Sequence, residues 1–149
     1  MKLLEDRLPI TSITVMVQKE AAERLCAQPG TRECGAVSAA VQYYAEPEIL
    51  FEVSRGSFMP APNVDSAVIQ LRIRKEPPVD VHDEALFFRV IRAAFAQRRK
   101  TAVNSISNTL HMSKQQVTDA FEQAGVRANS RAEALTLPEF AAVVNQLAD

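Results

Sequence analysis

Two adjacent prolines, Pro77 and Pro78, constrain this chain more than any other feature. Each lacks a backbone N–H, fixes its own φ and pushes the preceding residue toward extended conformations. Neither a helix nor a central strand can therefore run through Glu76-Pro77-Pro78-Val79-Asp80. The segment reads as a linker, and the hydrophobic pattern changes across it. Residues 1–76 mix strand and helix signals whereas residues 77–149 are helical throughout, which predicts two unequal units, α/β followed by a small all-α domain.

Before the linker, residues 12–17 are mostly apolar and rich in β-branched side chains, the pattern of a strand buried on both faces. They run into residues 19–25, a good helix former stopped by Pro29-Gly30. Residues 35–44 read as a second helix, with Val37, Val41 and Tyr44 at helical spacing. Residues 48–53 and 65–74 alternate with period two, and the proline-rich loop between them predicts an antiparallel pair. Three strands are too few to flank one buried on both faces. The unit is therefore expected to be the last part of a larger α/β sheet whose opening strands lie outside this chain.

After the linker, Phe87, Phe88, Ile91, Ala94, Phe95, Ala102 and Ile106 share one arc of a helical wheel, predicting a single helix from Asp83 to about Asn108. Ser113 is the expected N-cap of a second, with Val117, Ala120, Phe121 and Ala124 inside and Gly125 as its stop. A third spans residues 137–147, with Pro138 in its first turn.

Lys plus Arg total 17 against 18 acidic residues, a net charge of -1. Bulk attraction to nucleic acid or to membrane is thereby excluded, and any site for a polyanion must be a local patch. No apolar run approaches the roughly 18 residues of a membrane span. Cys26 and Cys34 form no C-x-x-C pair and lie far from His82 and His111, which argues against zinc and thioredoxin-type sites and for a reducing, cytoplasmic compartment. The four glycines are never spaced G-x-G, so no nucleotide cradle of that kind is encoded.

The chemistry concentrates in residues 57–68. Pro60 and Pro62 fix two backbone angles, so the ring of Phe58 just before them is presented with little freedom, as a stacking platform for a flat ligand. The same spacing also fits a ring that fills a core gap beside the loop.

The run Phe58-Met59-Pro60-Ala61-Pro62-Asn63-Val64-Asp65-Ser66-Ala67-Val68 resembles the F-x-P-x-P-x-V-D-S-A-V signature of the KsgA-type ribosomal RNA adenine dimethyltransferases. Residues 15–25, 38–44, 95–101 with Asn104, and 130–140 resemble the same family in the same order. The resemblance implies a Rossmann-like methyltransferase domain, here residues 1–76, followed by a helical domain, residues 77–149. It implies transfer of methyl groups from S-adenosylmethionine to two adjacent adenines of small-subunit ribosomal RNA, with Phe58 stacking on the target base and Pro60 and Pro62 shaping its pocket. The family's glycine-rich cofactor loop and its Asn-Leu-Pro-Tyr motif are absent from this chain, so the expectation is a C-terminal portion inactive alone, with no cofactor-binding residue of its own.

Arg89, Arg92, Arg99 and Lys100 fall within one arc of the expected 83–108 helix, and no acidic residue occurs between Glu84 and Asp119. This face reads as an RNA-binding patch, or as an ordinary solvated face. Arg55 is placed to meet a phosphate beside the target base, Arg72, Arg74 and Lys75 to extend the patch, and Arg98, on the apolar side of the wheel, to form a structural ion pair. The alternatives are a non-catalytic ribosome-assembly module, a large-subunit methyltransferase of the antibiotic-resistance type, and an incomplete domain that self-associates through an exposed sheet edge.

Overall fold

The computed structural model describes residues 11–57, 59–60 and 63–149. Its elements are β1 (Ser12–Gln18), α1 (Lys19–Cys26), α2 (Ala36–Tyr44), β2 (Ala45–Val53), β3 (Ser66–Ile73), α3 (Glu84–Phe95), α4 (Ala102–Leu110), α5 (Lys114–Gln123) and α6 (Leu137–Ala148). Single 3-10 turns occur at Arg55–Ser57 and Ala132–Ala134. Residues 74–83, which contain both linker prolines, form neither helix nor strand.

The three strands make one antiparallel sheet in the order β1-β3-β2. β3, paired on both sides, is the central strand and keeps the alternation read in residues 65–74. Ala67, Ile69 and Leu71 are buried against Ala22 of α1, Val41 of α2 and Ala45. Between them, Ser66, Val68 and Gln70 point to the other face and are half-buried.

β1 lies at one edge of this three-stranded sheet. It pairs only with β3 among the described residues, and Val15 and Met16 are exposed, so the neighbours that its apolar pattern calls for are not among those residues. On the face away from the helices Met16 lies opposite Val68, which lies opposite Phe51, an apolar stripe across all three strands. In β2 the register slips between Ile49 and Phe51, which takes Leu50 out of the ladder and breaks the expected alternation. Ile49, Leu50 and Phe51 are all exposed.

The second core is larger and helical. Phe87, Ile91, Ile106, Phe121 and Phe140 are buried at its centre, and Ala39 and Tyr43 of α2 belong to it. The seam between the two cores is aromatic: Tyr43 packs on Phe87 at 5.2 Å and Tyr44 stacks on Phe88 at 5.4 Å. Such pairs are each worth about 0.5–1.5 kcal/mol beyond their area. Tyr43 also donates its hydroxyl to Glu84 Oε2 at 2.7 Å. The linker is held by Asn145 of α6, whose amide donates to Asp80 O and accepts from His82 N, each at 2.9 Å.

The expected 83–108 helix is two helices. α3 ends at Phe95 and α4 begins at Ala102, with Thr101 capping α4 through its hydroxyl. Four helices therefore follow the linker, not three. α5 matches its expected cap, Ser113 Oγ accepting from Gln116 N, and α6, with Pro138 in its first turn as expected, also starts with a reciprocal capping box between Thr136 and Glu139. Gly125 takes φ +76°, the left-handed value expected of a helix stop. Val37, expected inside α2, is 46% exposed, because the buried side of α2 is Ser38, Ala39, Val41, Gln42 and Tyr43. Among the described residues no helix is long and apolar enough to cross a membrane.

Candidate nucleic-acid interface

The proline-rich loop connects β2 to β3 and is closed on itself. Arg55 N–H donates to Asp65 Oδ1 at 2.9 Å and the Arg55 guanidinium donates to Asn63 O at 3.1 Å, so Asp65 pins the start of the loop to its end. Arg55 is exposed, and one of its guanidinium donors is committed to loop closure. Pro60 is exposed, as are Met59 and Val64. Phe58 and Pro62 lie outside the described residues. Asp65 O also accepts from Lys19 N at 2.9 Å, which fixes the loop against the start of α1.

The other end of α1 opens onto a cleft of about 530 Å³. Three separate segments supply its cations: Arg24 and Arg32 from the end of α1 and the turn after it, Arg98, Arg99 and Lys100 from the corner between α3 and α4, and Arg131 before the 3-10 turn. All six are exposed, and none pairs with a described carboxylate within 4 Å. Only Glu33 and Glu133 set negative charge among them. An eight-residue helix is about 12 Å long, so loop and cleft lie roughly that far apart along α1.

The four residues read as one basic helical arc do not share a helix. Arg89 and Arg92 are on α3 and line a neighbouring groove with Ala40, Tyr44, Phe88 and Ile91, whereas Arg99 and Lys100 sit in the corner after α3 ends. The two hollows share Ala36 and Val37 as a common ridge. Arg98 is solvent-exposed beyond the helix end, so the wheel angle that placed it on the apolar side does not apply, and it makes no ion pair with a described residue. Arg72 and Arg74 do not extend the patch: Arg72 pairs with Glu46 and Glu48 across the sheet, and Arg74 pairs with Glu46 and donates to Gln42 O.

Arg24, Arg32 and Arg131 went unread as site residues because they are isolated in sequence and meet only through tertiary packing. The signal available was the acid-free stretch from 85 to 118, which locates the corner but not its partners. Cys34, also in the cleft wall, is a buried thiol. Burial pushes its pKa up, a hydrogen bond with Ser38 lowers it, and the Glu133 carboxylate raises it again.

A Cβ at Gly30 would meet Thr136 Cγ2 at 3.2 Å and one at Gly56 would meet Ser54 Oγ at 3.7 Å, whereas one at Gly35 or Gly125 would meet nothing within 4 Å. Among the described residues no group of three or more His, Cys, Asp or Glu is placed to hold a metal ion.

All 149 residues match the family model described as ribosomal RNA adenine dimethylase. Ribosomal RNA small subunit methyltransferase A of Geobacillus sp. (strain WCH70) is 52% identical over 150 residues, covering 99% of this chain and 52% of that protein. The protein of the same name from Oceanobacillus iheyensis is 48% identical over 147 residues, 97% of this chain and 50% of its own length. The chain thus spans about half the length of the curated relatives it matches. Among solved structures, a dimethyladenosine transferase from Plasmodium falciparum superposes with a TM-score of 0.74 at 18% identity, over 99% of this chain and 61% of that one. The 23S rRNA methyltransferase ErmE superposes with a TM-score of 0.68 at 21% identity, over 99% and 59%. At these identities the structural likeness shows the fold alone.

Proposed function

The chain belongs to the ribosomal RNA adenine dimethylase family, and we propose that it forms the target-binding half of an enzyme that dimethylates adenine N6 in small-subunit ribosomal RNA. On this reading residues 1–76 are the last strands and helices of a Rossmann-like catalytic domain. Residues 77–149 are its helical C-terminal domain. On the same reading, the β1 edge that no described strand covers and the Met16–Val68–Phe51 stripe are where the remainder of a larger domain packs. S-adenosylmethionine is the family's methyl donor, and no residue of this chain is assigned to hold it.

The observation that carries the proposal is the gathering of Arg24, Arg32, Arg98, Arg99, Lys100 and Arg131 at one cleft in a chain of net charge -1. Phosphate contacts supply most of the affinity in nucleic-acid binding, and a locally basic cleft on a nearly neutral protein concentrates them. Arg89 and Arg92 extend the contact into the neighbouring groove, and Arg55 meets the backbone beside the loop. On this reading Phe58 stacks on the target adenine, with Pro60 and Pro62 shaping the pocket. Adenine N6 is a poor nucleophile because its lone pair is delocalised into the ring, so holding the base in a fixed pose is what this half contributes.

The test is titration of the chain into a hairpin of 3′-terminal small-subunit ribosomal RNA carrying two adjacent adenines, with and without S-adenosylmethionine. Binding is expected to be indifferent to the cofactor, with no methyl transfer by this chain alone. Phe58→Ala should lose about 1–3 kcal/mol on the intact hairpin and nothing on one made abasic at both adenines. Failure to bind the hairpin, or methyl transfer by the isolated chain, overturns the assignment.

A further inference from the structure

Residues 84–110 contain neither glycine nor proline, and Ala96-Gln97-Arg98-Arg99-Lys100, before the Thr101 cap, are good helix formers, so no breaking residue ends α3. The break has another cause. In a continuous helix the Gln97 N–H would donate to the Ala93 carbonyl, one turn back. Instead the Ser105 hydroxyl stands between those two groups, accepting from Gln97 N at 3.1 Å and donating to Ala93 O. A side chain inserted into the i→i−4 ladder is a recognised cause of a sharp kink.

Ser105 has no solvent exposure, so its hydroxyl satisfies, inside the core, the donor and the acceptor that the break separates. Ala96 N falls back to a tighter bond with Ala93 O at 3.2 Å, and Asn108 fastens the Gln97 side chain at 3.2 Å. With the helix ended there, residues 97–100 leave the helical path and line the cleft with Arg24 and Arg131.

We propose that Ser105 is a positioning residue for RNA recognition: its buried hydroxyl, wedged between Gln97 and Ala93, ends α3 where Arg98, Arg99 and Lys100 turn into the cleft. This rests on the RNA reading of the cleft given above. Without the hydroxyl, Gln97 N–H and Ala93 O recover each other by adding a turn to α3, which carries the three cations around the helix and away from Arg24 and Arg131.

The experiment measures hairpin affinity against salt concentration for the wild type, Ser105→Ala, Ser105→Thr, the triple variant Arg98→Ala/Arg99→Ala/Lys100→Ala, and the combination of the triple with Ser105→Ala. Circular dichroism and thermal melts run alongside. Ser105→Cys fills the same space with a poor donor and replaces the alanine variant if that one does not fold. The triple variant should bind at least about tenfold more weakly with a shallower salt slope. Folded Ser105→Ala should show the same two changes, Ser105→Thr should restore them, and the combination should be little worse than the triple alone. A folded Ser105→Ala or Ser105→Cys with wild-type affinity and slope, beside a weakened triple variant, overturns the positioning role. A triple variant that binds like the wild type overturns the cleft as the RNA site.

Discussion

The helical half and the sheet half of this molecule treat apolar surface in opposite ways. After the linker the large apolar side chains are sequestered, with Phe87, Ile91, Ile106, Phe121, Leu135 and Phe140 essentially inaccessible. Among the described residues every exposed large hydrophobic lies before it: Val15, Met16, Val37, Ile49, Leu50, Phe51, Met59 and Val64. A four-helix arrangement can close around its own core, whereas three strands covered by two short helices on one side leave the other face open. The helical half therefore closes around a core that Ala39 and Tyr43 of α2 also join, whereas the sheet half leaves apolar side chains uncovered among the described residues.

The largest effect expected from that contrast is in the cores. Phe121→Ala should cost about 3–5 kcal/mol in urea unfolding, because a close-packed helical core cannot collapse around the void. Ile69→Ala, in the thin layer between β3 and the helices α1 and α2, should fall near the low end of the 2–5 kcal/mol range typical of such truncations. Equal losses at the two sites would break the contrast.

A smaller effect tests the open face. Met16→Lys with Phe51→Lys should change stability by no more than about 0.5 kcal/mol, as for ordinary exposed sites, while reducing ANS binding and any self-association seen by light scattering. A large loss of stability would show that the stripe is covered within the chain itself.

The smallest concerns the thiols. Burial raises the pKa of Cys34, and to a lesser structural depth that of Cys26, above the unfolded value. Since the folded state holds these protons more tightly, their contribution to stability is complete below the unfolded value of about 8.5 and is lost as pH rises through the folded one. Stability should decline on the alkaline side, and iodoacetamide should modify half-buried Cys26 before buried Cys34. Prior labelling of Cys34 would contradict its burial.

What could be read from the residues follows the same division. Caps and stops are local chemistry, so Ser113, Gly125 and Pro138 announced the ends of α5 and α6. Strict alternation from Ala67 to Ile73 announced β3. The break after Phe95 was hidden because its cause, Ser105, acts from the next helix across a tertiary contact, and a helical wheel drawn through it joined Arg89 and Arg92 to Arg99 and Lys100 on a face that does not exist. The apolar pattern of residues 12–17, suited to two neighbours, was legible as a strand, and among the described residues only β3 is hydrogen-bonded to it. Lys100 and Arg99 were legible from an acid-free stretch of the sequence, whereas Arg24, Arg32 and Arg131 required three segments to fold together.

The reading of the cleft as one phosphate-binding surface is tested most directly at Arg131, the member most distant in sequence from Arg24. The measurement is the slope of log affinity against log salt for the ribosomal RNA hairpin, wild type beside Arg131→Ala. Loss of one phosphate contact should reduce the slope by about 0.7–0.9 while the melting curve stays in place. An unchanged slope and affinity would mean that the three segments meet for structural reasons and that RNA is bound elsewhere.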